Sequence, residues 1–202
     1  MDAEKDALRR DALRRRNALS GEDRSRWSKV IAGYLSAMPE YRRAQTIGIY
    51  RAIGSEVELD SLFVDAEAAD ARRVFYPRCG EARSLAFVEV SPRTRWRRGV
   101  FGILEPEGPS IPIRRLDLVV VPVVAFDRVG HRIGYGAGYY DRALAAFDGV
   151  ATGVAFEAQR VPVVPFIDTD VPLATVVTEK GVMSFCESDR RGLAPRQPPC
   201  GH

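Results

Sequence analysis

The segment from Leu116 to Ala146 constrains the fold of this 202-residue chain more than any other. It begins with a β-branched run from Leu118 to Val124 that only Pro122 interrupts. A continuous apolar run of this kind is typical of a strand buried on both faces, as in a parallel sheet. The glycine loop, residues 134–138, follows this strand, and a helix is predicted to begin at Tyr139. The segment therefore predicts an α/β domain with a mostly parallel or mixed central sheet flanked by helices.

The glycine loop has the composition of a phosphate-binding loop. Glycines allow backbone N–H groups to approach phosphate oxygens, and a helix N-terminus adds positive partial charge. The order Gly-x-Gly-x-Gly matches neither the dinucleotide fingerprint nor the P-loop, and it can also be a simple tight turn. Its neighbours favour an anion site, because Arg132 precedes the loop and Tyr139, Tyr140 and Asp141 follow it. Asp141 falls in the first helical turn, where a carboxylate either complements the helix dipole or holds a Mg²⁺ ion that bridges phosphates.

The composition is typical of one soluble globular domain. Hydrophobic residues make up 46% of the chain and charged residues 28%, and the net charge of +3 is too small to indicate a nucleic-acid-binding protein. No apolar run approaches the roughly 20 residues that span a bilayer, and the basic N-terminus has no signal-peptide core. We therefore expect a cytoplasmic protein with one domain over residues 1–186 and a disordered tail over residues 187–202.

The cysteines and histidines form no recognisable metal or disulfide pattern. Cys79, Cys186 and Cys200 are scattered, and none belongs to a C-x-x-C pair. The two histidines, His131 and His202, cannot complete a metal cluster with them. Although His131 lies beside the glycine loop, we predict a solvated loop histidine rather than a catalytic one. The chain also has no Ser-His-Asp, Cys-His or paired-glutamate constellation that would indicate a hydrolase.

The N-terminal region predicts two helices. Residues 2–17 form a basic helix, whose arginines can be a solvated face, a membrane-surface element or an anion site. Lys5 and Arg9 are four residues apart and therefore reach from the same side of this helix. Ser20 with Asp23 three residues later predicts the N-cap of the second helix. Apolar residues at helical spacing predict a buried stripe on that helix: Trp27, Val30, Ile31, Tyr34 and Leu35.

A short strand over Thr46–Tyr50 is predicted to lead into a binding site. Ligands of open α/β sheets gather at the carboxyl ends of the strands, so the loop from Tyr50 to Glu56 is a candidate wall. Glu56 could equally cap the next helix, predicted over about residues 59–69. Residues 109–115 are expected to be a linker. Further strands are predicted over Val74–Pro77, Leu85–Val90, Val150–Ala155, Thr175–Glu179 and Val182–Phe185.

Three motifs resemble the 5-formyltetrahydrofolate cyclo-ligase family, also called 5,10-methenyltetrahydrofolate synthetases. Residues 126–141, FDRVGHRIGYGAGYYD, are similar to the family's F-D-x-x-G-x-R-L-G-x-G-x-G-Y-Y-D. Residues 96–106 resemble W-x-x-x-x-F-G-I-x-E-P, and residues 176–179 resemble V-V-T-E. The resemblance implies a single-domain Rossmann-like fold of the kind shared with sugar-phosphate isomerases and CoA transferases.

The resemblance also implies a reaction, the ATP- and Mg²⁺-dependent conversion of 5-formyltetrahydrofolate to 5,10-methenyltetrahydrofolate with release of ADP and phosphate. The formyl group on N5 is an amide whose oxygen is a poor leaving group, and ATP would phosphorylate that oxygen. N10 would then attack the activated carbon as phosphate leaves. The implied partner is a small-molecule reduced folate, with no nucleic acid and no membrane, and we expect a monomer or weak dimer.

Roles of individual residues are implied in the same way. Lys5 and Arg9 are expected to fold back over the glycine loop as cations for the phosphates, and Arg16 also fits the family pattern. The implied catalytic residues are Lys5, Arg9, Arg132 and Tyr139. The implied nucleotide-binding residues are Lys5, Arg9, Arg132, Ile133, Gly134, Tyr135, Gly136, Ala137, Gly138, Tyr139 and Tyr140. The implied folate-binding residues are Tyr50, Arg51, Glu56, Trp96, Tyr135, Gly136, Ala137, Gly138 and Tyr139, and the implied Mg²⁺ ligands are Asp141 and Asp170.

Two residues depart from the family's H-D-x-P-L-D pattern around Asp170. Thr169 replaces the histidine and Ala174 replaces the second aspartate, so Asp168 stays a rival metal ligand. These departures favour one alternative function, a catalytically inactive nucleotide- or folate-binding regulator on the same fold. The basic first helix allows another, an RNA- or membrane-surface protein that would bind polyanions with a steep salt dependence.

Overall fold

The β-branched run forms the central strand of the sheet. In the computed structural model, which describes residues 2–63 and 72–185, Leu118 and Val120 pack into the apolar cluster on one face. Val119 and Val121 pack into the apolar cluster on the other face. Successive side chains of a strand point to opposite faces, so an unbroken apolar run buries both of them. The prediction of a doubly buried strand is therefore confirmed.

Twelve strands have defined bounds in the described residues. The main sheet contains Thr46–Gly48 (β1), Arg73–Cys79 (β2), Leu85–Glu89 (β3), Ser110–Pro112 (β6), Leu118–Pro122 (β7), Val150–Val154 (β10), Thr175–Thr178 (β11) and Gly181–Ser184 (β12). Two small hairpins pair Trp96–Arg98 (β4) with Leu104–Pro106 (β5), and Ala125–Phe126 (β8) with Arg132–Ile133 (β9).

The eight strands of the main sheet lie in the order β12-β11-β10-β7-β1-β2-β3-β6. The five central strands are parallel, while β3 and β6 extend one edge and β12 the other by antiparallel pairing. From β1 the chain continues to one side through β2, and from β7 it continues to the other through β10. The neighbours β1 and β7 therefore flank a topological switch point, where open α/β sheets bind ligands. The mixed α/β fold is as predicted.

Helices cover the sheet. Their bounds are Asp2–Asn17 (α1), Gly21–Ala37 (α2), Pro39–Arg43 (α3) and Tyr139–Leu144 (α4), and residues 60–63 are also helical. The predicted N-cap of α2 is confirmed, because the Ser20 hydroxyl accepts the Asp23 backbone N–H at 3.0 Å. The predicted buried stripe was too wide. Ile31 and Leu35 are buried, but Val30 is 38% and Tyr34 41% exposed. Val30 and Tyr34 each precede one of the buried residues, and one residue turns the side chain by about 100° around the helix axis, to the border of the contact with the sheet.

The remaining differences from the sequence prediction concern connecting segments. Residues 96–106 contain a β-hairpin, and the expected linker contains β6, which pairs with β3. The predicted helix over residues 59–69 and the predicted tail over residues 187–202 lie partly and wholly outside the described residues. No helix among the described residues is long and apolar enough to cross a membrane. Short 3-10 segments occur at Glu81–Arg83, Val100–Gly102, Ile113–Arg115 and Glu157–Gln159.

Candidate functional site

The candidate site lies where helix α1 contacts the two loops of the switch point. One loop, residues 50–56, follows β1, and the other, residues 123–138, follows β7. Arg16 of α1 donates from Nε to the Ser55 hydroxyl at 2.9 Å. Arg9 of the same helix donates from Nε to the carbonyl of Gly134 at 2.8 Å. One helix therefore contributes cations to both loops.

The glycine loop makes a tight turn before α4. Gly136 has φ +96° and Gly138 has φ +72°, a left-handed backbone that residues with a Cβ rarely adopt. Gly138 directly precedes α4, which begins at Tyr139 as predicted but is only six residues long. A Cβ at Gly136 would lie 3.2 Å from the Arg9 guanidinium. The absence of a side chain at this position therefore allows the cation to approach the loop.

Two cation–carboxylate pairs lie side by side next to the loop. The Lys5 ammonium pairs with the Asp170 carboxylate. Arg132 donates to Oδ1 of Asp141 at 2.8 Å and also to the carbonyl of Val171. The Val171 backbone N–H lies 3.5 Å from Oδ1 of Asp141, and Val171 follows Asp170 in the chain. The structure thus brings together the residues implied for phosphate and for Mg²⁺.

The donor set of Asp141 and Asp170 fits Mg²⁺. This ion prefers carboxylate oxygens, and it is usually bound through one or two carboxylates together with substrate phosphates and water. Among residues 2–63 and 72–185, no group of three or more His, Cys, Asp or Glu side chains could hold a metal ion. A Mg²⁺ ion at the two aspartates would therefore depend on nucleotide phosphates. The Ile167 N–H orients Asp170 at 2.9 Å, whereas Asp168 is exposed, which favours Asp170 over its rival.

Glu56 is a buried carboxylate on the other side of the glycine loop. It is 6% exposed, and its Oε2 accepts the Ile53 N–H at 2.9 Å. Burial raises the pKa of Glu56, while the Ile53 N–H, the Arg16 guanidinium and the Tyr135 hydroxyl oppose this shift. A carboxylate in this setting has few water contacts to lose when it binds a ligand with parallel N–H donors.

Two phenols, the buried Tyr50 and the partly buried Tyr140, lie close to Glu56. Burial and the negative charge of Glu56 raise the pKa of both Tyr50 and Tyr140. Both side chains therefore remain protonated at neutral pH and can act as hydrogen-bond donors. The Tyr50 hydroxyl donates to the carbonyl of Val57 at 2.9 Å. Four of the implied site residues are brought together here: Tyr50, Glu56, Tyr135 and Tyr140.

Arg51 and Trp96, both implied in folate binding, lie next to each other. The Arg51 guanidinium carbon is 5.1 Å from the centroid of the Trp96 ring. The same ring meets Tyr76 edge-on, with 5.4 Å between centroids, and packs against the core. Trp96 thus anchors the β4–β5 hairpin, and the Arg51 guanidinium lies over one face of its ring.

Sequence reasoning missed a contact between Cys79, Glu105 and Tyr139. Glu105 is 3% exposed and accepts the Cys79 backbone N–H at 3.1 Å. The Cys79 side chain lies beside Glu105 and Tyr139, and burial, reinforced by Glu105, raises the pKa of Cys79 to about 11. The thiol is therefore protonated at neutral pH and not activated as a nucleophile. The signal that could have indicated this contact is the position of Cys79 at the carboxyl end of β2, the strand next to β1.

The prediction of a solvated His131 was wrong. The residue is 6% exposed, and its ring stacks on that of Phe166 with 4.0 Å between centroids. Its Nδ1 lies 3.1 Å from Oδ2 of Asp127, a buried carboxylate that also accepts the backbone N–H groups of Val129 and Val164. His131 is therefore part of the turn that Asp127 organises ahead of the glycine loop.

Comparisons with known proteins converge on one family. A model of the 5-formyltetrahydrofolate cyclo-ligase family matches residues 1–179. The 5-formyltetrahydrofolate cyclo-ligase of Escherichia coli strain K12 is 30% identical over 179 residues, which cover 85% of this chain and 98% of that relative. The NMR structure of Aquifex aeolicus 5,10-methenyltetrahydrofolate synthetase is 34% identical with a TM-score of 0.79, over 98% of this chain and 99% of that one. The Mycoplasma pneumoniae 5,10-methenyltetrahydrofolate synthetase, 24% identical with a TM-score of 0.73, shares the fold over 87% of this chain and 99% of its own.

Proposed function

This chain belongs to the 5-formyltetrahydrofolate cyclo-ligase family, whose members are enzymes, and we propose that it converts 5-formyltetrahydrofolate and ATP into 5,10-methenyltetrahydrofolate, ADP and phosphate. The observation that carries the proposal is the family match over residues 1–179, because that range contains α1, both loops of the switch point and both aspartates. The regulator alternative is less well supported, since every cation and metal-binding carboxylate that the resemblance implies is present in the chain.

The folate is proposed to bind on the Glu56 side of the glycine loop. The ionised Glu56 carboxylate can accept two parallel N–H bonds from the 2-amino-4-oxo edge of the pterin. Tyr140, which remains protonated, supplies a donor beside it, whereas the Tyr50 hydroxyl already donates to the Val57 carbonyl. Arg51 follows β1 and lies over the ring of Trp96 in β4, and this pair suits the more distant part of the ligand. This arrangement fixes the orientation of the N5-formyl group relative to the loop.

The first chemical step is proposed to be phosphoryl transfer. The bond between the formyl oxygen and the γ-phosphorus forms as the bond to ADP breaks. Such a transfer depends on positioning and charge neutralisation more than on acid–base groups. Lys5, Arg9 and Arg132 supply the cations, and the glycine loop supplies N–H donors. When Mg²⁺ is bound at Asp141 and Asp170, it adds further neutralisation of phosphate charge.

The second step closes the ring. N10 attacks the activated formyl carbon, so a C–N bond forms while the C–O bond to phosphate breaks, and the N10 proton is lost. Tyr139, the first residue of α4, directly follows the glycine loop, and its side chain lies near that of Cys79. Its proposed role is to line the junction at which the two reacting groups meet.

The direct test mixes the purified protein with ATP, Mg²⁺ and 5-formyltetrahydrofolate and follows the near-ultraviolet absorbance of the methenyl product. We expect a rise that requires all three components. The Glu56→Gln variant should raise the KM for the folate roughly tenfold or more, because a charge-assisted hydrogen bond is lost. The exposed neighbour Glu58 provides the matched control, Glu58→Gln, with wild-type kinetics. Absence of turnover in a protein that binds ATP would instead favour the regulator.

A further inference from the structure

Arg16 is a buried cation on the last turn of α1. It is 3% exposed, and its two hydrogen bonds go to neutral groups, the Ser55 hydroxyl at 2.9 Å and the Tyr135 hydroxyl at 2.8 Å. None of the ion pairs between described residues involves Arg16. A buried charge is costly unless it is compensated, so its countercharge has to be sought beyond direct contact.

Tyr135 connects Arg16 to that countercharge. The Tyr135 hydroxyl accepts the hydrogen bond from Arg16 at 2.8 Å, and the Glu56 carboxylate lies close enough to help burial raise the pKa of Tyr135. The Arg16 guanidinium carbon also lies 5.8 Å from the centroid of the Tyr135 ring. Arg16 also donates to Ser55, the residue before Glu56, so this one cation joins the glycine loop to the loop after β1.

The groups that face Glu56 come from four segments. They are Arg16 of α1, Tyr50 after β1, Tyr135 of the glycine loop and Tyr140 of α4. The three phenols are neutral, because desolvation raises the pKa of each of them, although Tyr135 as a whole residue is 47% exposed. Burial also raises the pKa of Glu56, and Arg16 is the cation in this group that opposes the shift.

We infer that Arg16 is a positioning residue for folate binding, which acts through Tyr135 to hold Glu56 ionised and correctly oriented for the N–H edge of the pterin. The inference rests on the proposed function, which assigns Glu56 to the pterin. It also gives α1 two roles, because Lys5 and Arg9 on the same helix face the phosphate side. Residues of a single helix, α1, would therefore contribute to the binding of both substrates.

A double-mutant cycle on folate binding tests the inference. The dissociation constant of 5-formyltetrahydrofolate is measured without ATP for the wild type, Arg16→Gln, Glu56→Gln and the double variant. Each single change should weaken binding roughly tenfold or more, since each removes a hydrogen bond involving a charge. The double variant should bind about as weakly as Glu56→Gln alone, because Arg16 acts through Glu56. Additive effects would overturn the inference.

The pH profile of kcat/KM for the folate provides a readout that a merely structural role would not move. In Arg16→Gln, loss of the cation raises the pKa of Glu56, so the acidic limb should move to higher pH. Arg16→Lys keeps the charge and should keep the wild-type limb, although KM rises because lysine cannot form both directed bonds. A uniform loss at every pH in Arg16→Gln would contradict the inference.

Controls separate this inference from loss of folding and from failure of the proposed function. Arg15→Gln removes the neighbouring charge of α1, which contacts the Arg160 carbonyl, and should bind folate like the wild type. If Arg16→Gln does not fold, Tyr135→Phe breaks the same connection without removing a charge and should move the acidic limb in the same direction. If the wild type binds the folate without turnover, the proposed function is overturned, but the double-mutant cycle on folate binding still tests the role of Arg16. A wild type that does not bind the folate overturns both.

Discussion

Gly130 shows what one residue without a side chain contributes to the turn ahead of the glycine loop. Its φ is +89°, and a Cβ there would lie 2.1 Å from the carbonyl oxygen of Leu173. The Leu173 N–H donates to the Gly130 carbonyl at 2.9 Å, which ties the turn to the segment that carries Asp170. We predict that Gly130→Ala lowers the free energy of unfolding by roughly 2 kcal/mol or more, because backbone strain and overlap add. Thermal denaturation measures the loss.

Gly33 offers a matched control for this prediction. It lies inside α2, and apart from the nearby backbone of that helix no atom is within 4 Å of the position that a Cβ would occupy. Gly33→Ala should therefore stabilise the protein by up to about 1 kcal/mol through helix propensity. The same substitution thus has opposite signs at the two positions. A Gly130→Ala protein that melts at the wild-type temperature would show that the backbone contact with Leu173 is not strained by a Cβ.

At the scale of elements, Asp117 joins the beginnings of β1 and β7. Its carboxylate accepts hydrogen bonds from Thr46 N at 2.8 Å, Gln45 N at 2.9 Å and the Thr46 hydroxyl at 2.9 Å. The bond from the Thr46 backbone is the main cause that lowers the pKa of Asp117. A carboxyl group with a lowered folded-state pKa stabilises the fold fully above the ordinary value of about 3.9, and this contribution disappears as the pH falls through the folded-state value.

We therefore predict that Asp117→Asn costs about 1 kcal/mol at pH 7, a value reduced by the exposure of the group. Below the ordinary aspartate pKa the wild type should lose stability that the variant no longer has, so the difference between the two proteins should shrink. Urea unfolding at a series of pH values between 7 and 2 measures it. A difference that stays constant over this range would mean that the charge of Asp117 contributes nothing to pairing β1 with β7.

The elements that the sequence predicted are those whose own residues determine the structure. The apolar run of β7 buries both faces wherever it is placed in a parallel sheet, and Ser20 caps α2 through a residue only three positions away. The sequence predicts a linker for the segment of β6, because the hydrogen bonds that make it a strand come from its pairing partner, β3. Its own residues carry no alternating apolar pattern.

The same distinction holds for the candidate site. The glycine loop and the residues around it could be recognised from a contiguous motif, and the family assignment is confirmed. His131 was misjudged because its cover comes partly from Phe166, far along the chain. The contacts of Arg16 with Ser55 and Tyr135 join residues 39 and 119 positions apart, and no local pattern marks them. The roles of the site residues stay predictions.

At the scale of the whole molecule, the charges of the candidate site come from three separate regions of the chain. Lys5 belongs to α1, Arg132 and Asp141 flank the glycine loop, and Asp170 belongs to the segment before β11. In this structure each carboxylate is neutralised by one cation. ATP alone would attract the cations and leave two carboxylates uncompensated, whereas Mg²⁺ alone would leave two cations uncompensated. Only the two ligands together satisfy all four charges.

We therefore predict that ATP and Mg²⁺ together raise the melting temperature more than either alone. A ligand at about 100 times its Kd stabilises the folded state by about 2.7 kcal/mol, which corresponds to roughly 5–10 °C for a chain of this size. Thermal denaturation with ATP, with Mg²⁺, with both and with both plus a chelator measures the increments. In Asp170→Asn, the increments from ATP alone and from Mg²⁺ with ATP should become similar, whereas Asp168→Asn should respond like the wild type. The reverse result would make Asp168 the metal ligand, and equal increments in the wild type would mean that the two aspartates do not hold a metal at all.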